Sequence, residues 1–288
     1  MIWLLLSISC SILIFIVFKY FKTYEVNNLH AILINYLVAF TIGNWQNGFA
    51  NSPLEIPQQD WFASIIILGF LFISLFNLMA WVSQNFGLAT VSVAVKMSVI
   101  VPVCFGVVYF EESLGILKTI GIISALVAVF MSTYKPENTK RGASFIWYPI
   151  LLFLGSGFLD AFLKYNESEL VPADQQAWFA SSIFGTAALI GAFIVLYQIM
   201  FENRKFDRKA LLGGILLGIP NYGSIYFLLR ALSFEGLESS SIFALNNVGI
   251  VAFSAILGAW FFKEKLTRLN ILGVILAIIS IFLITLAL

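Results

Sequence analysis

The sequence predicts an all-α, polytopic membrane protein: ten transmembrane helices arranged as two inverted five-helix repeats. Three observations predict it. Of the 288 residues, 60% are hydrophobic and 11% charged, whereas a soluble domain carries about 45–50% apolar and about 25% charged residues. Apolar runs of about 20 residues, the length that crosses a bilayer as a helix, occur ten times along the chain. A glycine-glutamate-leucine pattern in the first half returns in the second at a fixed offset.

The runs cover 2–20, 29–46, 61–83, 88–110, 115–133, 146–164, 175–200, 210–231, 239–262 and 269–288. Span 1 has no basic residue before it, outruns the apolar core of a signal peptide and is followed by Lys19 and Lys22, so it reads as a retained helix. After span 2, Asn47 to Asp60 carries Gly48, Pro53 and Pro57; after span 5, Tyr134 to Gly142 carries Pro136 and three cations. Phe201 to Lys209, between spans 7 and 8, is strongly polar. These are turn and breaker signals. No gap exceeds about 15 residues, which leaves no room for a soluble domain. Period-2 alternation is absent, and barrel strands would be half as long.

Sixteen Lys and Arg against fifteen Asp and Glu give a net charge of +1, with no basic excess for nucleic acid. The two cysteines, Cys10 and Cys104, lie in apolar runs and offer neither a disulfide framework nor a thiolate metal site. His30 is the one histidine, too little for most hydrolase or metal chemistry. A Gly-x-x-x-x-Gly-Lys-Ser/Thr phosphate loop is absent. Twelve Lys and Arg lie in loops after odd-numbered spans; Lys118 and Arg230 are the two after even-numbered spans. Basic loops stay in the cytoplasm, which places both termini outside.

The repeat runs at an offset of 152 residues: Gly106, Phe110, Glu112, Leu114, Leu117, Gly121, Ile123 and Ala125 return as Gly258, Phe262, Glu264, Leu266, Leu269, Gly273, Ile275 and Ala277. Gly87-Leu88 returns as Gly236-Leu237 at an offset of 149. The chain thus divides into 1–141 (spans 1–5) and 142–288 (spans 6–10). Five is odd, so the second repeat enters the bilayer upside down, the plan of secondary transporters with a midplane site. With Pro102 and Gly106 in span 4, the Glu112-x-Leu114 and Glu264-x-Leu266 turns, and Gly121 and Gly273, the chain resembles the ten-helix, EamA-like members of the drug/metabolite transporter superfamily. Ser254 stands where the first repeat has Pro102, so span 9 lacks that proline break. Typical members of the resembled family keep both termini in the cytoplasm, opposite to the loop charges here.

Lys96 lies about 12 Å into span 4 at 1.5 Å per residue, where a lysine costs at least ~2.5 kcal/mol and needs a cavity or a partner. Asp160 is the one acid well inside a span and the candidate for proton coupling; a local ion pair with Lys164, four residues on, is the simpler role. Asn35, Asn77, Asn221, Asn246 and Asn247 sit at mid-helix depths across four spans. Singly, each amide glues helices for about 0.6–2 kcal/mol; together they suggest a polar substrate cavity. Pro220 beside Asn221-Tyr222 predicts a break in span 8, and Trp81, Tyr222 and Tyr226 are wall candidates. Trp45, Trp61, Trp147 and Trp178 read as an interfacial belt. Glu112 and Glu264 read as structural acids at the start of their repeats' fifth helices. Gly214-x-x-x-Gly218 and Ala255-x-x-x-Ala259 read as packing motifs.

The resulting expectation is a multi-pass protein of the inner cell membrane that moves a small organic solute by alternating access. It would be driven by protons or by the solute's own gradient, without a cofactor or metal, as a monomer or homodimer in the lipid bilayer, and without nucleic acid. The alternatives are a lipid-handling or accessory subunit on the same fold and an integral membrane enzyme, for which no cluster of catalytic groups is present.

Overall fold

A computed structural model of the chain describes residues 2–46, 48, 52–101, 104–105, 115–133, 147–172, 175–232 and 239–286. The described residues form helices and no strand. They are α1 (Ile2–Thr23), α2 (Asn28–Gln46), α3 (Phe62–Phe86), α4 (Leu88–Met97), α5 (Ile116–Thr133), α6 (Trp147–Glu169), α7 (Gln176–Phe201), α8 (Lys209–Leu232), α9 (Ser239–Trp260) and α10 (Arg268–Leu286). Each falls within or close to one predicted span.

Polar residues just outside the apolar runs start several helices by accepting first-turn N–H groups that have no partner inside the helix. Asn27 Oδ1 accepts from His30 N at 3.2 Å, opening α2, and Asp207 Oδ1 accepts from Lys209 N at 3.0 Å, opening α8. Thr267 Oγ1 accepts from Asn270 N (3.1 Å) while Asn270 Oδ1 accepts from Thr267 N (3.0 Å), a reciprocal cap on α10.

Span 4 is not one continuous helix. Its regular part stops at Met97, and Ser98 O accepts from Val101 N at 2.9 Å in a tighter turn. The cause is legible in sequence: a proline at 102 has no N–H to return to the carbonyl of residue 98 and crowds it with its ring. Pro102, Gly106, Glu112 and Leu114 themselves lie outside the described residues. The break expected at Pro220 is corrected, because α8 runs through it from Lys209 to Leu232. Close packing on α2 holds α8 helical there. A Cβ at Gly214 would come within 2.4 Å of Ile34 Cβ, and one at Gly218 within 2.7 Å of Val38 Cβ. Two backbones this close hold each other by dispersion along their length. α9 is unbroken, in keeping with Ser254 in place of a proline.

The helices interlock across the two halves of the chain. α2 packs on α8 and α3 on α7; α1 packs on α8 and α9, and α6 on α3 and α4. α5 lies along α10, α2 along α7, and α4 along α9. Exchanging each helix with the one five places later turns every pairing in this set into another of the same set. Large apolar side chains such as Phe70, Phe130, Leu154, Phe193 and Ile275 point outward, a surface that suits lipid and not water.

The tryptophans divide. Trp45 and Trp147 are exposed, as a belt residue should be. Trp61 and Trp178 are not belt residues: they are buried, edge to face at 5.1 Å, in a small core with Phe179 and Ile183. Trp61 Nε1 donates to Gln175 Oε1 at 3.0 Å. That bond satisfies the indole N–H and so permits full burial.

Candidate functional site

The break in α4 shapes the contact between α4 and α6. Gly157 on α6 packs directly on it, and a Cβ there would meet Ser98 O at 2.8 Å and Val101 Cγ2 at 2.4 Å. This close approach brings Asp160, one turn further along α6, to Ser98, whose Oγ lies 3.4 Å from Asp160 Oδ2 and donates to Val95 O at 2.6 Å. Ser98 is fully buried, whereas Asp160 is exposed. Lys96, half-buried near the end of α4, lies two residues before Ser98 in the chain. The local Asp160–Lys164 pair expected from sequence involves a side chain that lies outside the described atoms. Asp160, chosen from sequence, thus lies beside Ser98, which sequence reasoning passed over; Lys96 lies nearby on α4 without a hydrogen bond or ion pair to either. Only the chain's fold reveals Ser98, since a lone serine in an apolar helix carries no signal of its own.

The amides do not converge on one place. Asn221 Nδ2 donates to Asn35 Oδ1 at 3.1 Å across the α2–α8 contact, with both side chains buried. The Asn35 amide nitrogen is left without a partner there. Asn77 Nδ2 bonds back to Ile73 O at 2.8 Å, and its side chain lines a different feature, a polar cleft of about 520 Å³. That cleft opens among Lys22, Asn28, Gln84, Gln198 and Arg204, at the face carrying the basic loops. Asn246 is buried with an unpartnered Oδ1, and its neighbour Asn247 is half-buried. Tyr222 donates its hydroxyl to Gln46 Oε1 and stacks on Tyr226, itself the acceptor for Arg230 Nε at 3.1 Å. Trp81 lies against Tyr148 of α6, ring centroids 4.1 Å apart.

A second polar cluster joins the halves at the basic face. Glu264, in the loop before α10, is not an N-terminal acid of its own fifth helix, which Thr267 caps. Its carboxylate instead accepts from Leu88 N, the first residue of α4, at 3.0 and 3.1 Å, and pairs with Lys19 Nζ of α1 at 2.5 Å. Gly87 (φ +101°) and Gly258 form the walls of its socket: a Cβ on either would lie 2.5 Å from Glu264 Oε2. Gly87 satisfies two demands at once, a backbone shape that side chains rarely adopt and a contact that they would block. Further along the same face, Asp207 Oδ2 accepts from Asn27 N at 2.8 Å, and His30 Nδ1 accepts from Asp207 N at 3.0 Å. His30 is buried and stacked on Phe206. The lone histidine is therefore a structural bridge between the first turn of α2 and the loop before α8. At mid-depth, buried Ser254 of α9 donates to Ser92 of α4 at 2.6 Å, another bond between halves.

Ten apolar helices interlocked in this way define a polytopic integral membrane protein. Residues 144–286 match the EamA-like transporter family. The second half of the chain is thus similar to this transporter family. An uncharacterized protein of Haemophilus influenzae is 26% identical over 286 residues, covering 97% of this chain and 96% of its own. A protein of known crystal structure shares the fold at a TM-score of 0.58 and 12% identity, over 99% of this chain and 98% of that one. The EamA family is a family of drug/metabolite transporters, which supports a transporter and points away from an enzyme.

Proposed function

We propose that this protein moves a small organic solute across the inner cell membrane by alternating access between two inverted halves, 1–141 and 142–288. The exchange pattern of helix pairings supports that division. The observation that carries the reading is the Lys96–Ser98–Asp160 group at the α4–α6 contact. Ionisable side chains are costly inside a span, and here one lies on each helix, beside a break in α4 that leaves the backbone irregular where it meets α6. Such breaks are tolerated in membranes where they are buried in protein or line a cavity. In this reading Lys96 and Asp160 meet the polar groups of the solute, and Asp160 takes up and releases the coupling proton. The polar cleft with Asn77 is the approach from the basic face, which the loop charges place in the cytoplasm. For that face to open wide, Glu264 must leave the N-terminus of α4, since its socket joins α1, α4 and the loop before α10. The test is solute-dependent thermal stabilisation of the purified protein across amino acids, sugars, nucleosides and organic cations. A ligand that binds only the folded state at 100 times its Kd stabilises by about 2.7 kcal/mol. A solute that stabilises the parent but not Lys96→Met supports the site; stabilisation equal in both removes Lys96 from it.

A further inference from the structure

Between α1 and α8, near the basic face, lies a groove of about 450 Å³, within the range of about 300–1,000 Å³ usual for ligand sites. Val17 and Phe21 form one wall and Leu212 and Leu216 the other, with the leucines largely exposed. The groove therefore runs from the membrane interface about 10 Å into the hydrocarbon, the rise of α8 from Lys209 to Leu216 at about 1.5 Å per residue. Its mouth is different in kind. Lys209 stands there and donates from Nζ to Tyr24 O at 3.0 Å, bridging the ends of α8 and α1. Lys205 and Arg208 lie in the same short loop. The loop's acids have other partners: the Asp207 carboxylate accepts from Asn27 N and Lys209 N, and Glu202 pairs with Arg204 at 2.9 Å.

We propose that this groove holds one acyl chain of an anionic phospholipid, with the lipid phosphate on Lys209. The argument is one of complementarity along the length of the ligand. An apolar slot at chain depth continues into a cationic mouth at headgroup depth, and basic pockets between transmembrane helices are sites for anionic headgroups. A neutral lipid fits the slot equally well but leaves the lysine without a counter-charge, so the site distinguishes headgroups and not chains. Because α1 and α8 belong to opposite halves, a lipid seated here touches both. The site lies on a different helix contact from Lys96 and Asp160 and holds independently of the transported solute.

The experiment is lipid retention by the full-length protein in detergent micelles, read by native mass spectrometry, with phosphatidylglycerol and phosphatidylcholine of identical chains competing. The parent is expected to retain phosphatidylglycerol preferentially. Lys209→Gln should lower that preference about fivefold, the worth of one interfacial cation at about 1 kcal/mol, and Lys209→Arg should restore it. Leu216→Trp, or Leu212→Trp should the first fail to fold, fills the slot and should reduce retention of both lipids. An unchanged headgroup preference in Lys209→Gln overturns the proposal. So does competition by chain-free glycerophosphoglycerol or by inorganic phosphate at the same concentration as the lipid, because the slot would then contribute nothing. Lys209-dependent scrambling of labelled phosphatidylglycerol in vesicles would make the lipid a cargo and also overturn it.

Discussion

Removing the carboxylate of Glu264 should be among the more damaging single changes outside the apolar core. Three groups depend on it: Leu88 N at 3.0–3.1 Å, Lys19 Nζ at 2.5 Å, and a socket whose two glycines admit nothing larger. A hydrogen bond to a charged group contributes about 1.5–3 kcal/mol. Breaking a fully buried ion pair costs about 3–5 kcal/mol, but Lys19 and Glu264 keep 21% and 11% of their side-chain exposure, so the lysine can partly rehydrate and the lower part of the range applies. Glu264→Gln keeps an acceptor for Leu88 and loses the pairing, at about 1–2 kcal/mol. Glu264→Ala loses both and leaves the first N–H of α4 with no acceptor, at about 3 kcal/mol. At about 2–4 °C per kcal/mol for a chain of this order of size, the alanine variant should melt about 6–12 °C below the parent. Thermal unfolding of the purified proteins measures this, and a double-mutant cycle with Lys19→Met isolates the pair. If Glu264→Ala and Lys19→Met add to within about 0.5 kcal/mol, the two do not act together and the account of the socket is wrong.

Other outcomes follow from the same structure. Lys96→Met should fold and insert at least as well as the parent, since it removes a charge costing at least ~2.5 kcal/mol in a span, and should lose transport; normal transport in proteoliposomes would remove Lys96 from the site. Asp160→Asn keeps a group that can meet Ser98 but cannot exchange a proton, so gradient-driven uptake should vanish while counterflow persists. Unchanged gradient-driven uptake would take Asp160 out of the coupling step, and loss of both activities with normal folding would make it a solute ligand. Single cysteines at Lys22 and Arg208 should label only after the cell is permeabilised; labelling in intact cells would reverse the orientation.

Much of the fold is written in simple signals. Span length and apolar content placed ten helices because the bilayer allows little else. The break in α4 was legible too, since Pro102 dictates that the carbonyl of Ser98 needs another donor. Pro220 carries the same local signal, yet α8 continues through it: Gly214 and Gly218 seat α8 on α2, and packing outweighs one missing hydrogen bond. Trp61 and Trp178 misled for a related reason. A tryptophan at a span end belongs at the interface unless its N–H finds a partner, and Gln175 supplies one from another helix. For the amides, sequence gives depth but not azimuth. Asn35 and Asn221 turn to each other, while Asn77 turns toward the basic face.

The repeat contains more than its first reading drew from it. Glu264 and Gly87 appear in it as unrelated landmarks, each matched to its copy in the other half, and nothing local joins them. Topology does. Glu264 follows span 9 and Gly87 follows span 3, so both lie after odd-numbered spans and at the same face of the bilayer. Gly236, the glycine of Glu264's own half, lies outside the described residues, but it follows span 8, so span order predicts it for the opposite face of the bilayer. A glutamate in that loop that reaches a Gly-Leu helix start must therefore reach the one in the other half. The bond from Leu88 N to Glu264 is the realisation of that constraint. A motif that reads as two separate turns is, once the halves are inverted, the two sides of one contact between them.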